Sequence, residues 1–168
     1  MSLVDGTTHV IQSPVINDVS GAMAIQEVLE NIEWVSQAGS PVAYAPHLRR
    51  APLQGVPAKS VIFQFAKGDL GAPNPNTTAI LRAGDLADRT LYYRHDLARS
   101  ETPSLPMNAH MFMVSIGVAA FRDISLGAQA QIASFFVSDG ETIIHPEPAR
   151  FFEVPIRGPL PEELNYIP

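Results

Sequence analysis

The sequence contains no cysteine. That excludes disulfides, thiolate-ligated zinc, iron–sulfur clusters and a thiol nucleophile. Positive charge is scarce: 11 Lys and Arg stand against 17 Asp and Glu, a formal net charge of -6. No basic patch is present to displace counterions from phosphates, so nucleic acid is not an expected partner. No apolar run approaches the ~20 residues of a membrane-spanning helix, so the chain is not expected to be transmembrane. Histidines 9, 47 and 145 are far apart and none has metal-ligand spacing. Neither a metal nor any other cofactor is expected.

Apolar residues are plentiful, at 46% of 168 residues against 17% charged, which is the composition of a globular chain with a core. Fifteen prolines predict many loops and stops rather than a helix bundle. Met1-Ser2-Leu3 leads straight into polar residues, without the basic and apolar regions of a signal peptide. Position 1 is not taken as the natural start, and the compartment stays open.

Three regions follow from the pattern. Residues 1–18 read as an extended segment, with Val10, Ile11, Val15 and Ile16 among polar residues. Residues 19–140 carry the ordered elements, and 141–168 form a proline-rich tail without regular structure. A first helix is predicted over 19–38. Asp18 or Ser20 caps it, and Ala22, Ile25, Val28, Leu29, Ile32 and Val35 recur at helical spacing as an inward stripe. Gly39 and Pro41 end it. Four prolines between Pro41 and Pro57 predict an irregular connection over 40–59.

Ser60 to Ala66 is a short apolar run rich in β-formers, the mark of a strand buried on both faces. A second helix is expected over about 77–87, capped by Thr77 or Thr78. A second strand is expected over Arg89–Arg94, then a polar loop over 95–109. Residues 113–138 read as mostly helical; Gly117 and Gly127 allow two shorter helices, and Asp139-Gly140 ends the span. Alternating helices and strands imply an α/β arrangement with parallel strands. Two core strands are few for a sheet of that kind, so the chain reads as one end of a larger one.

Two turns carry the candidate chemistry. Lys67-Gly68-Asp69 lies beyond the first strand, and Asn108-Ala109-His110 lies in the loop after the second. Functional groups of open α/β sheets sit beyond the carboxyl ends of the strands. Asp69 and His110 can therefore meet as a carboxylate–imidazole pair. The carboxylate would fix the tautomer and the other ring nitrogen would act as a base.

At these residues the chain resembles the C-terminal part of bacterial lipase- and esterase-like α/β-hydrolases. Gly68-Asp69 with Ala72-Pro73-Asn74-Pro75 is similar to the family's acid turn, and Asn108-Ala109-His110-Met111-Phe112 to its histidine turn Asn-Pro-His-Gly-Phe. The tail from Phe151-Phe152-Glu153 to Leu164-Asn165 is similar to the carboxyl ends of such enzymes. Acid before histidine is the family's order. The resemblance implies that Asp69 is the triad acid and His110 the base of a serine hydrolase acting on a small-molecule ester or lipid. It implies an α/β-hydrolase C-terminal portion of about two parallel core strands with flanking helices. The localisation of the parent protein stays open, a secreted or cell-envelope enzyme being one alternative. Ala109 stands where the family has Pro, Met111 where it has Gly, and Gly71-Ala72 where it has bulkier residues.

None of the twelve serines has the Gly-x-Ser-x-Gly context of a nucleophile elbow. The isolated chain is therefore expected to be inactive. Its exposed sheet edge predicts a homo-oligomer. A non-catalytic binding or assembly module derived from a hydrolase half is the alternative.

Other residues have plainer readings. His95-Asp96 sit adjacent on an expected extended segment and point apart, so they are not expected to cooperate. Glu27, Glu30 and Glu33 read as a solvated helix face. Met107, Met111 and Met113 beside His110 read as core packing before an acyl pocket. Trp34 is expected to pack at the edge of the first helix, and Phe151 and Phe152 to pin the tail.

Overall fold

The computed structural model describes residues 2–4, 7–9 and 21–163. Strands β1 (Ser2–Val4) and β2 (Thr7–His9) pair antiparallel, within the segment expected to be extended. The apolar residues Val10, Ile11, Val15 and Ile16 and the caps Asp18 and Ser20 lie outside the described residues.

The central sheet has three strands in the order β3-β4-β5. Strands β3 (Phe63–Ala66) and β4 (Thr90–Tyr93) run parallel, with Phe65 opposite Tyr92. The molecule is thus mixed α/β. The β3 edge facing away from β4 has no strand partner among the described residues. Strand β5 (Phe152–Glu153) corrects the reading of the tail as irregular: it pairs antiparallel to β4. Burial of Phe151 and Phe152 holds that pairing in place, and two residues are too few for a strand pattern to show in sequence.

Helices cover both faces of the sheet, as a parallel pair requires. Helix α3 (Asn74–Gly84) supplies Leu81 to a cluster with Leu86, Phe65, Tyr92 and Ile156. Phe65 and Tyr92 stack there at 4.7 Å. Helix α5 (Arg122–Val137) closes the other face, where Ile124 and Ala128 meet Ala66, Leu91 and Tyr93. Gln64 fastens β3 to α5 through Gln131 Oε1 at 2.9 Å and the Ala128 carbonyl at 3.0 Å. Gly127 admits the tail, since a Cβ there would fall on the carbonyl oxygen of Glu147.

Four element expectations are corrected. Helix α2 (Pro41–Leu48) occupies part of the connection expected to be irregular. Proline is tolerated at Pro41, in the first turn, where the N–H has no helical partner. Packing of α2 on α3, with Ala45 against Gly84, outweighs the interior Pro46. Helix α3 starts three residues earlier than expected, with Pro75 in its first turn instead of a threonine cap. Helix α4 (His95–Glu101) replaces part of the expected 95–109 loop. It is too short for periodicity to show, and its buried His95 and Ala98 hold it down. The 113–138 span begins as two 3-10 turns, Phe112–Val114 and Ala119–Phe121, before α5.

Helix α1 (Ala22–Ser36) forms as expected, but its apolar stripe is not inward. Ile32 is 60% exposed, Val35 69% and Trp34 75%. Nothing among the described residues covers this face. No helix among the described residues is long and apolar enough to cross a membrane.

Candidate functional site

The site is built from two turns beyond the carboxyl ends of the parallel strands. After β3 the chain turns through Gly68, at φ +79°, where a side chain would be strained. Asp69 follows, largely buried. Its Oδ1 accepts the backbone N–H of Gly71 at 2.7 Å and of Ala72 at 2.8 Å. The carboxylate is thereby held by its own turn, a local bond natural to aspartate.

The second turn follows β4, α4 and a loop that ends at His110. The imidazole Nδ1 lies 2.9 Å from Asp69 Oδ1 and 3.2 Å from Oδ2. An ionised carboxylate only accepts, so Nδ1 carries the proton and donates it. That leaves Nε2 as the basic nitrogen. Among the described residues nothing hydrogen-bonds Nε2, and the His110 side chain is 41% exposed. The structure therefore brings together the two residues singled out from sequence, 41 positions apart.

Sequence reasoning assigned no role to Asn108, which joins the two turns. It is buried, and its Oδ1 accepts the Leu70 N–H at 2.9 Å and the His110 N–H at 3.0 Å. One side-chain oxygen thus binds the backbone of the acid turn to that of the histidine turn. The signal was present in the quoted Asn-x-His motif, but the partner Leu70 is distant in sequence.

Two departures from the hydrolase pattern acquire geometry. Met111 has φ +61°, in the left-handed region where glycine is at ease and other residues lose roughly 1–2 kcal/mol. The turn keeps its shape despite the methionine. Gly71 lies directly against His110: a Cβ there would sit 2.7 Å from Nδ1.

His95 and Asp96 do not form a dyad, and the extended segment expected there is the start of α4. His95 is fully buried, between the Tyr93 hydroxyl at 2.9 Å and the Pro106 carbonyl at 2.8 Å. Burial lowers its pKa from the usual histidine value. Asp96 instead makes a two-pronged pair with Arg94, at 2.7 and 3.0 Å, and Arg94 also reaches Glu153 at 2.8 Å. This network ties β5 to β4 and raises the Arg94 pKa, chiefly through the hydrogen bond to Asp96. Of the three methionines, Met113 packs against the core, whereas Met107 and Met111 are about half exposed.

No cluster of three His, Asp or Glu residues among the described residues is arranged to hold a metal ion. What Asp69 and His110 can do chemically is accept a proton at Nε2 and stabilise the resulting cation with the carboxylate. Comparison with protein-family models, with curated proteins and with solved structures finds no match to this chain.

Proposed function

We propose that this chain supplies the acid and the base of a serine hydrolase of the α/β-hydrolase type, acting on a carboxylic ester. The nucleophile belongs to a strand-to-helix elbow outside this sequence. The observation that carries the reading is the 2.9 Å contact between His110 Nδ1 and Asp69, with Nε2 free among the described residues. In the complete site the serine hydroxyl attacks the ester carbonyl while Nε2 takes its proton. The tetrahedral intermediate collapses, and the imidazolium returns that proton to the departing alkoxide as the acyl-serine forms. Water then repeats the cycle with Nε2 as base, releasing the acid and restoring the serine. Asp69 holds Nδ1–H throughout and stabilises the imidazolium.

Two further features support a domain that continues beyond this chain. β3, the strand that leads to Asp69, has an edge with no strand partner among the described residues. The apolar stripe of α1 is uncovered among the described residues, and stripes of that size are ordinarily buried. The test is the gene upstream of the codon for Val4. An in-frame Gly-x-Ser-x-Gly after a β-rich run is expected. The full-length protein should then cleave esters of graded acyl length. Asp69→Asn should lower kcat by roughly 10⁴-fold and His110→Ala by roughly 10⁶-fold. A natural start at this point, with no elbow before it, would overturn the reading.

The same open edge favours a second reading, a binding or assembly module that has kept the pair without the nucleophile. It would associate through β3 and α1. Both readings expect the isolated chain to associate, so sedimentation at tens of micromolar tests the faces themselves: a monodisperse monomer is incompatible with assembly through them, while the upstream elbow separates the two readings.

A further inference from the structure

We propose that His95, which touches none of the reacting atoms, is a positioning residue for His110. Its neutral imidazole holds the Pro106 carbonyl and so seats the loop that presents the base. The inference rests on the reading of Asp69 and His110 as an acid–base pair.

Residues 102–111 leave α4 and run without regular structure to His110. At the ends of this stretch the Thr102 N–H bonds the Ala98 carbonyl at 2.8 Å, Asn108 Oδ1 accepts the Leu70 N–H at 2.9 Å and His110 meets Asp69; between Thr102 and Asn108 few bonds hold the chain to the body. Leu105 N–H bonds the Thr102 carbonyl within the loop at 3.0 Å, and Arg99 donates to the Leu105 carbonyl at 2.9 Å. The next carbonyl, that of Pro106, is held by His95 Nε2 at 2.8 Å. Proline has no N–H, so this carbonyl is the only backbone group Pro106 can offer. A carbonyl accepts only, so the His95 proton sits on Nε2. Nδ1 must then accept, and the Tyr93 hydroxyl donates to it at 2.9 Å.

The ring is also fixed in plane. It lies 5.5 Å from Phe121 at an interplanar angle of 14°. The Tyr93 ring packs tilted, at 30°, against Phe112 at 4.9 Å, two residues after His110. His95 therefore links, directly or through Tyr93, to the chain on both sides of His110. An apolar side chain would fill the same space and leave the Pro106 carbonyl unpaired. Buried polar groups with every partner in place restrict a loop to one arrangement. The two histidines are assigned opposite tautomers: Nε2–H on His95 and Nδ1–H on His110.

Nitrogen-15 histidine labelling of the full chain tests this by NMR. His95 is expected to carry its proton on Nε2, and His110 to show a slowly exchanging, downfield Nδ1–H signal that Asp69→Asn abolishes. In His95→Phe, exchange of that signal should speed up by at least about tenfold, as local opening becomes easier. His95→Gln, whose amide can donate to Pro106, should restore slow exchange. A folded wild-type chain with the His95 proton on Nδ1 would overturn the proposal without any variant, so it stays falsifiable if His95→Phe does not fold. Unchanged His110 exchange in folded His95→Phe would overturn it as well. If Asp69→Asn leaves the His110 signal untouched, the acid–base reading itself fails and this proposal falls with it.

Discussion

Gly71→Ala is expected to disconnect the candidate base from its carboxylate while leaving the fold intact. The added Cβ would lie 2.7 Å from His110 Nδ1, 2.8 Å from Cε1 and 3.1 Å from Cγ. Ordinary contacts of this kind are about 3.5–4.0 Å, so the ring must move by roughly 0.8 Å or more. The ring is part of a side chain with solvent beside it, and it can move. Gly71 has no left-handed φ, so alanine strains no backbone there. A ring shift of that size takes the 2.9 Å bond to Asp69 out of hydrogen-bond range. The imidazole is 41% exposed, so water replaces much of what is lost. The stability change should stay within about 1 kcal/mol. Catalysis is more sensitive to position: a misplacement near 1 Å is worth about 10²-fold. Thermal unfolding and the His110 Nδ1–H resonance of the isolated chain measure the two effects, and kcat of the full-length protein measures the third. A variant that keeps both the resonance and full kcat would refute the contact as drawn.

Three other outcomes are expected. Asn108→Ala removes the acceptor of two backbone N–H groups and should destabilise by about 1–3 kcal/mol in urea unfolding, with loss of the His110 Nδ1–H signal. Stability should fall as pH drops below about 6.5, because unfolded His95 takes up a proton that the folded site refuses. The groups facing His95 are Tyr93 from β4, Pro106 and Phe121, with Asp96 and Arg99 from α4. The carboxyls of Asp88 and Asp96 are held low by their arginine partners and titrate at lower pH. Below about pH 6.5 the slope from His95 should approach ~1.4 kcal/mol per unit, until the pH reaches its folded-state pKa. An unaltered slope in His95→Gln would refute that assignment. Gly127→Ala forces a methyl onto the Glu147 carbonyl and should lower stability by about 1–3 kcal/mol or more, read as a drop in the thermal midpoint.

Asp69 could be picked out of the sequence because it stands just past a recognisable strand, and His110 because Asn108-Ala109-His110 resembles a histidine turn, although α4 and a loop separate it from β4. Strand β4 matched its apolar run almost residue for residue, whereas the run Ser60–Ala66, expected to be buried on both faces, is a strand only from Phe63, with Phe63 and Gln64 partly exposed. Helices α1 and α5 were legible from their periodicity, although α5 starts only at Arg122. Helix α2 was hidden by its prolines and α4 by its brevity.

What the sequence determined by itself is local: an α/β alternation, the two strands, the turns, and the chain order of acid and base. Those follow from apolar spacing and from the few residues that tolerate tight turns. The tertiary structure decided what depends on residues distant in the chain. It set the 2.9 Å contact of His110 with Asp69, the bridge made by Asn108 and the burial of His95 under Pro106. It also left the stripe of α1 uncovered among the described residues. An apolar stripe says that a face wants burial, but only packing says whether this chain supplies the cover. A hydrogen bond across 41 residues has no period or spacing to betray it, so only the fold decides it.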